Sequence, residues 1–98
     1  MLSFIELDKK IKEQATRLYT EFGVASLAIF GSVARGQEKP ESDVDFLVRF
    51  SGEPTFERYA SLKLFLEDLL QCPIDLVTED AIRPRMRASI EEDIRRVA

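Results

Sequence analysis

Histidine is absent from this 98-residue sequence. Its absence removes imidazole acid–base catalysis, phosphohistidine chemistry and histidine-rich zinc sites, so any base or metal work falls to carboxylates. Cysteine occurs once, as Cys72, which rules out an intramolecular disulfide and makes the reducing cytoplasm the expected compartment. A basic excess is missing as well. Lys and Arg number 14 against 18 Asp and Glu, for a net charge of −4, and this argues against direct nucleic-acid binding. No apolar run reaches membrane-spanning length and the N-terminus lacks the apolar stretch of a signal peptide, so no membrane association is expected. Internal repeats and low-complexity tracts are lacking too. What remains is 45% hydrophobic and 33% charged, an ordinary globular composition of a length that predicts one domain, 1–98, around one modest core.

The most informative stretch runs Ile29-Phe30-Gly31-Ser32-Val33-Ala34-Arg35-Gly36 and resumes at Ser42-Asp43-Val44-Asp45-Phe46-Leu47-Val48. It reads as an apolar strand, a Gly-Ser turn, a polar excursion and a second apolar strand. Asp43 and Asp45 are two apart among β-formers, so both leave one face of that strand, while Val44, Phe46, Val48 and Phe50 leave the other. Side-by-side carboxylates raise one another's pKa unless a cation lies between them. A hard divalent ion with oxygen ligands, Mg²⁺, is the natural third party. The plainer alternative is an edge strand guarded against aggregation by charge, although aspartate is a poor strand former.

Around this stretch the chain alternates helix and strand. Ser3-Phe4-Ile5-Glu6 is a capping box, followed by Leu7, Ile11, Leu18 and Phe22 at helical spacing and by Gly23 as a C-terminal stop. Val24 to Phe30 predicts the first strand, Ser32 to Gly36 a short helix or turn, and residues 37–42, with Pro40, a surface loop. Asp43 to Phe50 predicts a second strand antiparallel to the first, since the connection is short. After the breaker Ser51-Gly52-Glu53-Pro54, a helix carries Phe56, Tyr59, Leu62, Leu66, Leu69 and Leu70 on one apolar face and ends at Cys72-Pro73. Ile74 to Val77 predicts a third strand with Asp75 facing away from Ile74 and Leu76. Pro84 opens a last helix whose buried stripe is Ile82, Met86, Ile90, Ile94 and Val97. The order α-β-(short α)-β-α-β-α predicts an α/β fold, a small mixed sheet of three or more strands covered by helices.

Gly-Ser after a strand, about ten residues, then Asp-x-Asp on the next strand resembles the signature of the DNA polymerase β-type nucleotidyltransferases. The text Gly-Ser-x-Ala-Arg-Gly and the short chain resemble the minimal nucleotidyltransferases of that superfamily, clearly from about Val24 to Val77. Many members of that branch are encoded beside a HEPN-domain protein, as the antitoxin of a toxin–antitoxin pair. The resemblance implies a polymerase β-like fold, ATP as substrate and two Mg²⁺ ions. It implies that Asp43, Asp45 and Asp75 ligate metal and carry catalysis, and that Gly31, Ser32 and Arg35 meet the triphosphate.

Each assignment has a plainer counterpart. Asp75 is an aspartate at a sheet edge unless its strand lies beside that of Asp45. Gly31-Ser32 alone is a turn, and Arg35 alone is a solvated arginine or a contact to a partner's acidic group. Arg49 shares the aspartates' face and could pair with one of them; Arg83, Arg85 and Arg87 suit a solvated helix start or a partner contact. The chain has no room for the substrate domain of larger relatives, so either a partner protein is the expected acceptor or another chain completes the site. The expected activity is transfer of AMP from ATP to a hydroxyl, a tyrosine, of a partner HEPN toxin within a hetero-oligomer. Rival readings are a binding antitoxin that acts by occlusion and a transferase for a small hydroxylated molecule.

Overall fold

The computed structural model describes residues 3–36 and 43–98; the loop expected at 37–42 lies outside the described residues. Helix α1, Phe4–Glu13, begins with the expected capping box. Ser3 Oγ accepts from the Glu6 amide at 3.3 Å and Glu6 Oε1 from the Ser3 amide at 3.4 Å. The single helix expected through Phe22 is in fact two. Gln14, at φ −105° and ψ 10°, separates α1 from α2, Ala15–Phe22. Leu18 lies seven residues from Ile11, in phase on a straight or a bent helix, so periodicity is blind to the bend. Gly23 then stops α2 with φ +67°, a conformation that favours glycine.

Strands β1 (Val24–Phe30), β2 (Val44–Phe50), β3 (Ile74–Thr78) and β4 (Arg95–Arg96) form one mixed sheet in the order β3-β2-β1-β4. β1 runs antiparallel to β2 and to β4, whereas β2 and β3 are parallel. The parallel pairing needs a crossover, which helix α4, Phe56–Leu70, supplies. Short helix α3, Gly31–Ala34, joins β1 toward β2, and α5, Pro84–Asp93, precedes β4 after a 3-10 turn at Glu79–Ala81.

Val44, Phe46, Val48 and Phe50 are buried as the alternation predicts, between 0% and 7% exposed. They join Leu27 and Ile29 of β1 and Leu62 and Leu66 of α4 in one core with Leu7, Ile11 and Leu18. Phe22 stacks on Phe65 at 4.6 Å between centroids, and the Tyr59 hydroxyl donates to the Leu76 carbonyl at 2.7 Å, fastening α4 to β3.

Three apolar assignments change. Phe56 is 80% exposed because Thr55 caps α4, accepting from the Arg58 amide, and Phe56 as the first helical residue projects outside the packed layer. Met86 and Ile94 are likewise outside the core, while Ile90 and Val97 are inside it. The last helix ends at Asp93 rather than continuing to Val97. Ile94 turns extended, and the chain pairs with β1 through Val97 N–H to Leu27 O at 2.9 Å and Leu27 N–H to Ala98 O at 3.0 Å. This closes an edge of the sheet that would otherwise present unpaired backbone.

Phe46 is wholly buried at the centre of β2. Phe46→Ala is expected to cost about 3–5 kcal/mol, measured by denaturant unfolding; a loss below about 1 kcal/mol would contradict this placement of the core.

Candidate functional site: a carboxylate pair behind a Gly-Ser turn

Register fixes the centre of the site. In the parallel β2–β3 ladder Asp45 is level with Asp75, and in the antiparallel β1–β2 ladder Asp45 is level with Phe30, the residue before Gly31. The Val44 amide, one residue before Asp45, donates at 3.1 Å to the carbonyl of Pro73, the residue just before β3. Asp45 and Asp75 therefore share one face of the sheet, opposite the buried row Val44, Phe46, Val48. Asp43 stands just before β2 and is exposed, as is Asp75, whereas Asp45 is partly covered.

Gly31 is positioned by the same register. Its φ is +76°, and a Cβ built there would collide with the Asp45 carboxylate. The side chain is thus excluded twice, by backbone conformation and by the carboxyl group lying against it. Gly31 begins α3 with Phe30 as N-cap, whose side chain offers no hydrogen bond to the first amides. Ser32 follows and is partly buried.

Electrostatically the site is strained toward neutrality. The Asp45 carboxyl is pushed from 3.8 up to about 6, first by burial, then by repulsion from Asp75 and Asp43 and by a hydrogen bond with Asp75, with Arg35 pulling the other way. Two carboxyl groups can hydrogen-bond to one another only if one keeps a proton. At neutral pH this cluster therefore holds more negative charge than its surroundings comfortably solvate, a condition that a cation relieves. Among the described residues no three acidic or thiol side chains stand close enough to close around an ion as they are. The oxygen-only chemistry of the set nonetheless suits a hard divalent cation.

Arg35 caps α3, and its amide bonds back to the Gly31 carbonyl at 3.2 Å. Its guanidinium Nη1 donates to Asp93 Oδ2 at 2.6 Å. Asp93 was invisible to sequence reasoning because it lies 58 positions away; the only local signal is an acid in the last turn of a helix, where the dipole disfavours it. Arg49 does not pair with the aspartates. Four residues from Asp45 along the same face, it meets Glu79 at 3.7 Å instead. Arg83, Arg85 and Arg87 are all exposed, with Arg87 at 3.9 Å from Glu91.

A four-stranded mixed sheet, a strand–glycine–helix turn and paired carboxylates on adjoining strands define a nucleotidyltransferase-type α/β protein. A model of the nucleotidyltransferase domain matches residues 9–97, and the chain belongs to that family. It is 36% identical over 97 residues to a provisionally assigned protein adenylyltransferase of Methanocaldococcus jannaschii, covering 96% of this chain and 97% of that protein. It is 31% identical over 94 residues to the protein adenylyltransferase MntA of Thermococcus cleftensis, covering 96% and 95%. A solved structure provisionally assigned as a minimal nucleotidyltransferase superposes with TM-score 0.81 at 34% identity, over 96% of this chain and 95% of that one. The fold also recurs, with TM-score 0.65 at 14% identity over 93% and 71% of the chains, in a complex of a tri-AMPylated Shewanella oneidensis HEPN toxin with an MNT antitoxin. The expected fold and the expected minimal-nucleotidyltransferase membership are both borne out.

Between pH 3.8 and about 6 the folded chain holds a proton on Asp45 that the unfolded chain has released, so stability falls as pH rises through that window. The carboxyl is only partly covered, and solvent screening limits the effect to about 1–2 kcal/mol. In metal-free buffer Asp45→Asn is expected to raise the melting temperature by several degrees at about pH 8 and to leave it unchanged at about pH 3. A gain of equal size at both would contradict the assigned origin. Gly31→Ala is expected to cost about 1–3 kcal/mol in chemical denaturation; a neutral result would contradict the contact with Asp45.

Proposed function

We propose that this chain, as one domain over 1–98, is a Mg²⁺-dependent protein adenylyltransferase. It transfers AMP from ATP to a tyrosine hydroxyl of a partner HEPN toxin, and so acts as the antitoxin in a cytoplasmic hetero-oligomer. The observation that carries the reading is the convergence of Asp45, Asp75 and the Gly31 backbone at one end of the sheet. The names of its relatives support the transfer of adenylate to protein. Among the described residues no helix is long and apolar enough to cross a membrane.

In this reading Asp43, Asp45 and Asp75 hold the metal. Two bound Mg²⁺ ions would supply the charge that lowers the pKa of the incoming hydroxyl and neutralises the departing pyrophosphate. Asp75, the exposed member of the pair, accepts the hydroxyl proton in this reading. The acceptor oxygen attacks the α-phosphorus, the bond to the bridging oxygen of the β-phosphate breaks, and pyrophosphate leaves toward α3. There Gly31 lets the backbone approach phosphate closely, Ser32 donates through its hydroxyl, and Arg35 offers its guanidinium. Nothing covalent is asked of the protein; positioning and charge do the work.

The test is transfer of label from α-phosphate-labelled ATP, with Mg²⁺, to the product of the neighbouring gene. Wild-type protein is expected to label it, chelation to abolish the signal, and Asp43→Asn with Asp45→Asn to reduce it by on the order of 10²–10³-fold while the variant stays folded. A double variant that labels and neutralises as well as wild type would overturn the site. A tight complex with no label in any condition would overturn the transferase reading and favour occlusion.

A further inference from the structure

Helix α5 ends on three successive acids, Glu91, Glu92 and Asp93, with no basic residue in its last turn. The dipole disfavours negative charge at that end of a helix and favours a cation beside it. Glu91 and Glu92 are exposed to water, but Asp93 turns inward, its side chain 19% exposed, onto Arg35. The arginine end of the pair is 43% exposed. Both the carboxylate and the negative end of α5 thus favour a guanidinium at this point.

Arg35 is also anchored from the other direction. It follows α3 directly, and its amide bonds to the carbonyl of Gly31, the residue against which Asp45 rests. Its charge reaches Asp45, where it opposes the repulsion from Asp75 and Asp43. Arg35 thus follows the turn that meets Asp45 with its backbone and meets the end of α5 with its guanidinium. A guanidinium carries five N–H donors in a rigid fork. Asp93 is met through Nη1.

We propose that Asp93 is a positioning residue for nucleotide binding, holding the Arg35 guanidinium beside α3 so that it is already ordered when a triphosphate arrives. The inference rests on the nucleotidyltransferase reading, in which Arg35 meets the triphosphate. An exposed arginine surrenders rotamer entropy on binding a ligand, and one ordered in advance has less to lose. The C-terminal helix, which donates no residue to the carboxylate cluster, thereby acquires a role in substrate affinity.

Binding of a fluorescent ATP analogue with Mg²⁺ to the full chain tests this without requiring turnover. Asp93→Asn is expected to weaken binding roughly tenfold, as loss of a charge-assisted contact that orders a ligand-binding arginine should. Arg35→Gln should weaken it at least as much, and the double variant no further than Arg35→Gln alone. Asp93→Glu, which keeps the charge, should recover most of the affinity. A merely structural contact would lower the melting temperature of Asp93→Asn and leave the dissociation constant unmoved, and that result would overturn the proposal. Tighter binding by Asp93→Asn would overturn it too, since Asp93 would then withhold Arg35 rather than present it, as would independent, additive losses in the double variant. Wild-type protein that binds no nucleotide at all would overturn both this inference and the reading beneath it, whereas binding by wild type and Asp93→Asn alike would overturn this inference alone.

Discussion

The close approach of the Asp45 carboxylate to the Gly31 backbone is the constraint on which the site depends. It requires a glycine at the end of β1, because the backbone turns through φ +76° there and because no side chain fits beside the carboxyl group. It also requires β1 and β2 to be antiparallel neighbours with Phe30 level with Asp45. The core supplies that register. Leu27 and Ile29 lie level with Val48 and Phe46 on the buried face, and a slip of one residue would turn Asp45 into the core and Phe46 out of it. Burial of the apolar row thus fixes the position of the carboxylate.

The second carboxylate arrives by a different route. Helix α4 crosses from the end of β2 and returns the chain parallel to it as β3, and the Tyr59 hydroxyl ties the helix to the Leu76 carbonyl, one residue from Asp75. The outcome is a partly covered Asp45 carboxyl level with the exposed Asp75 carboxyl, with Asp45 pushed up to about 6. Without a cation such an arrangement works against stability. The arrangement makes sense if the charge is used when a divalent ion and a polyphosphate are bound.

Much of this was legible in the sequence because local patterns carried it. The Asp-x-Asp alternation set the face of β2, the Gly-Ser spacing set the turn, and the capping box and Pro84 set two helix starts. What escaped was decided by tertiary contacts. The bend at Gln14 leaves the apolar phase intact. The final helix yields to a strand because Leu27 offers an open backbone edge, which no feature of Ile94, Arg95 or Arg96 reveals. Phe56 looks like core until Thr55 takes the cap and turns it outward. Arg49 meets Glu79 rather than an aspartate because the chain after β3 turns back toward it, and the pairing of Arg35 with Asp93 spans most of the chain.

The central claim is that the Asp45–Asp75 pair and the Gly31 turn form one site for a metal-bound nucleotide. A crystal structure with Mg²⁺ and a non-hydrolysable ATP analogue tests it most directly. The account expects metal density among Asp43, Asp45 and Asp75, with the phosphates against Gly31 and Ser32 and within reach of Arg35. A nucleotide bound elsewhere on the sheet, or metal held without any of the three aspartates, would contradict it.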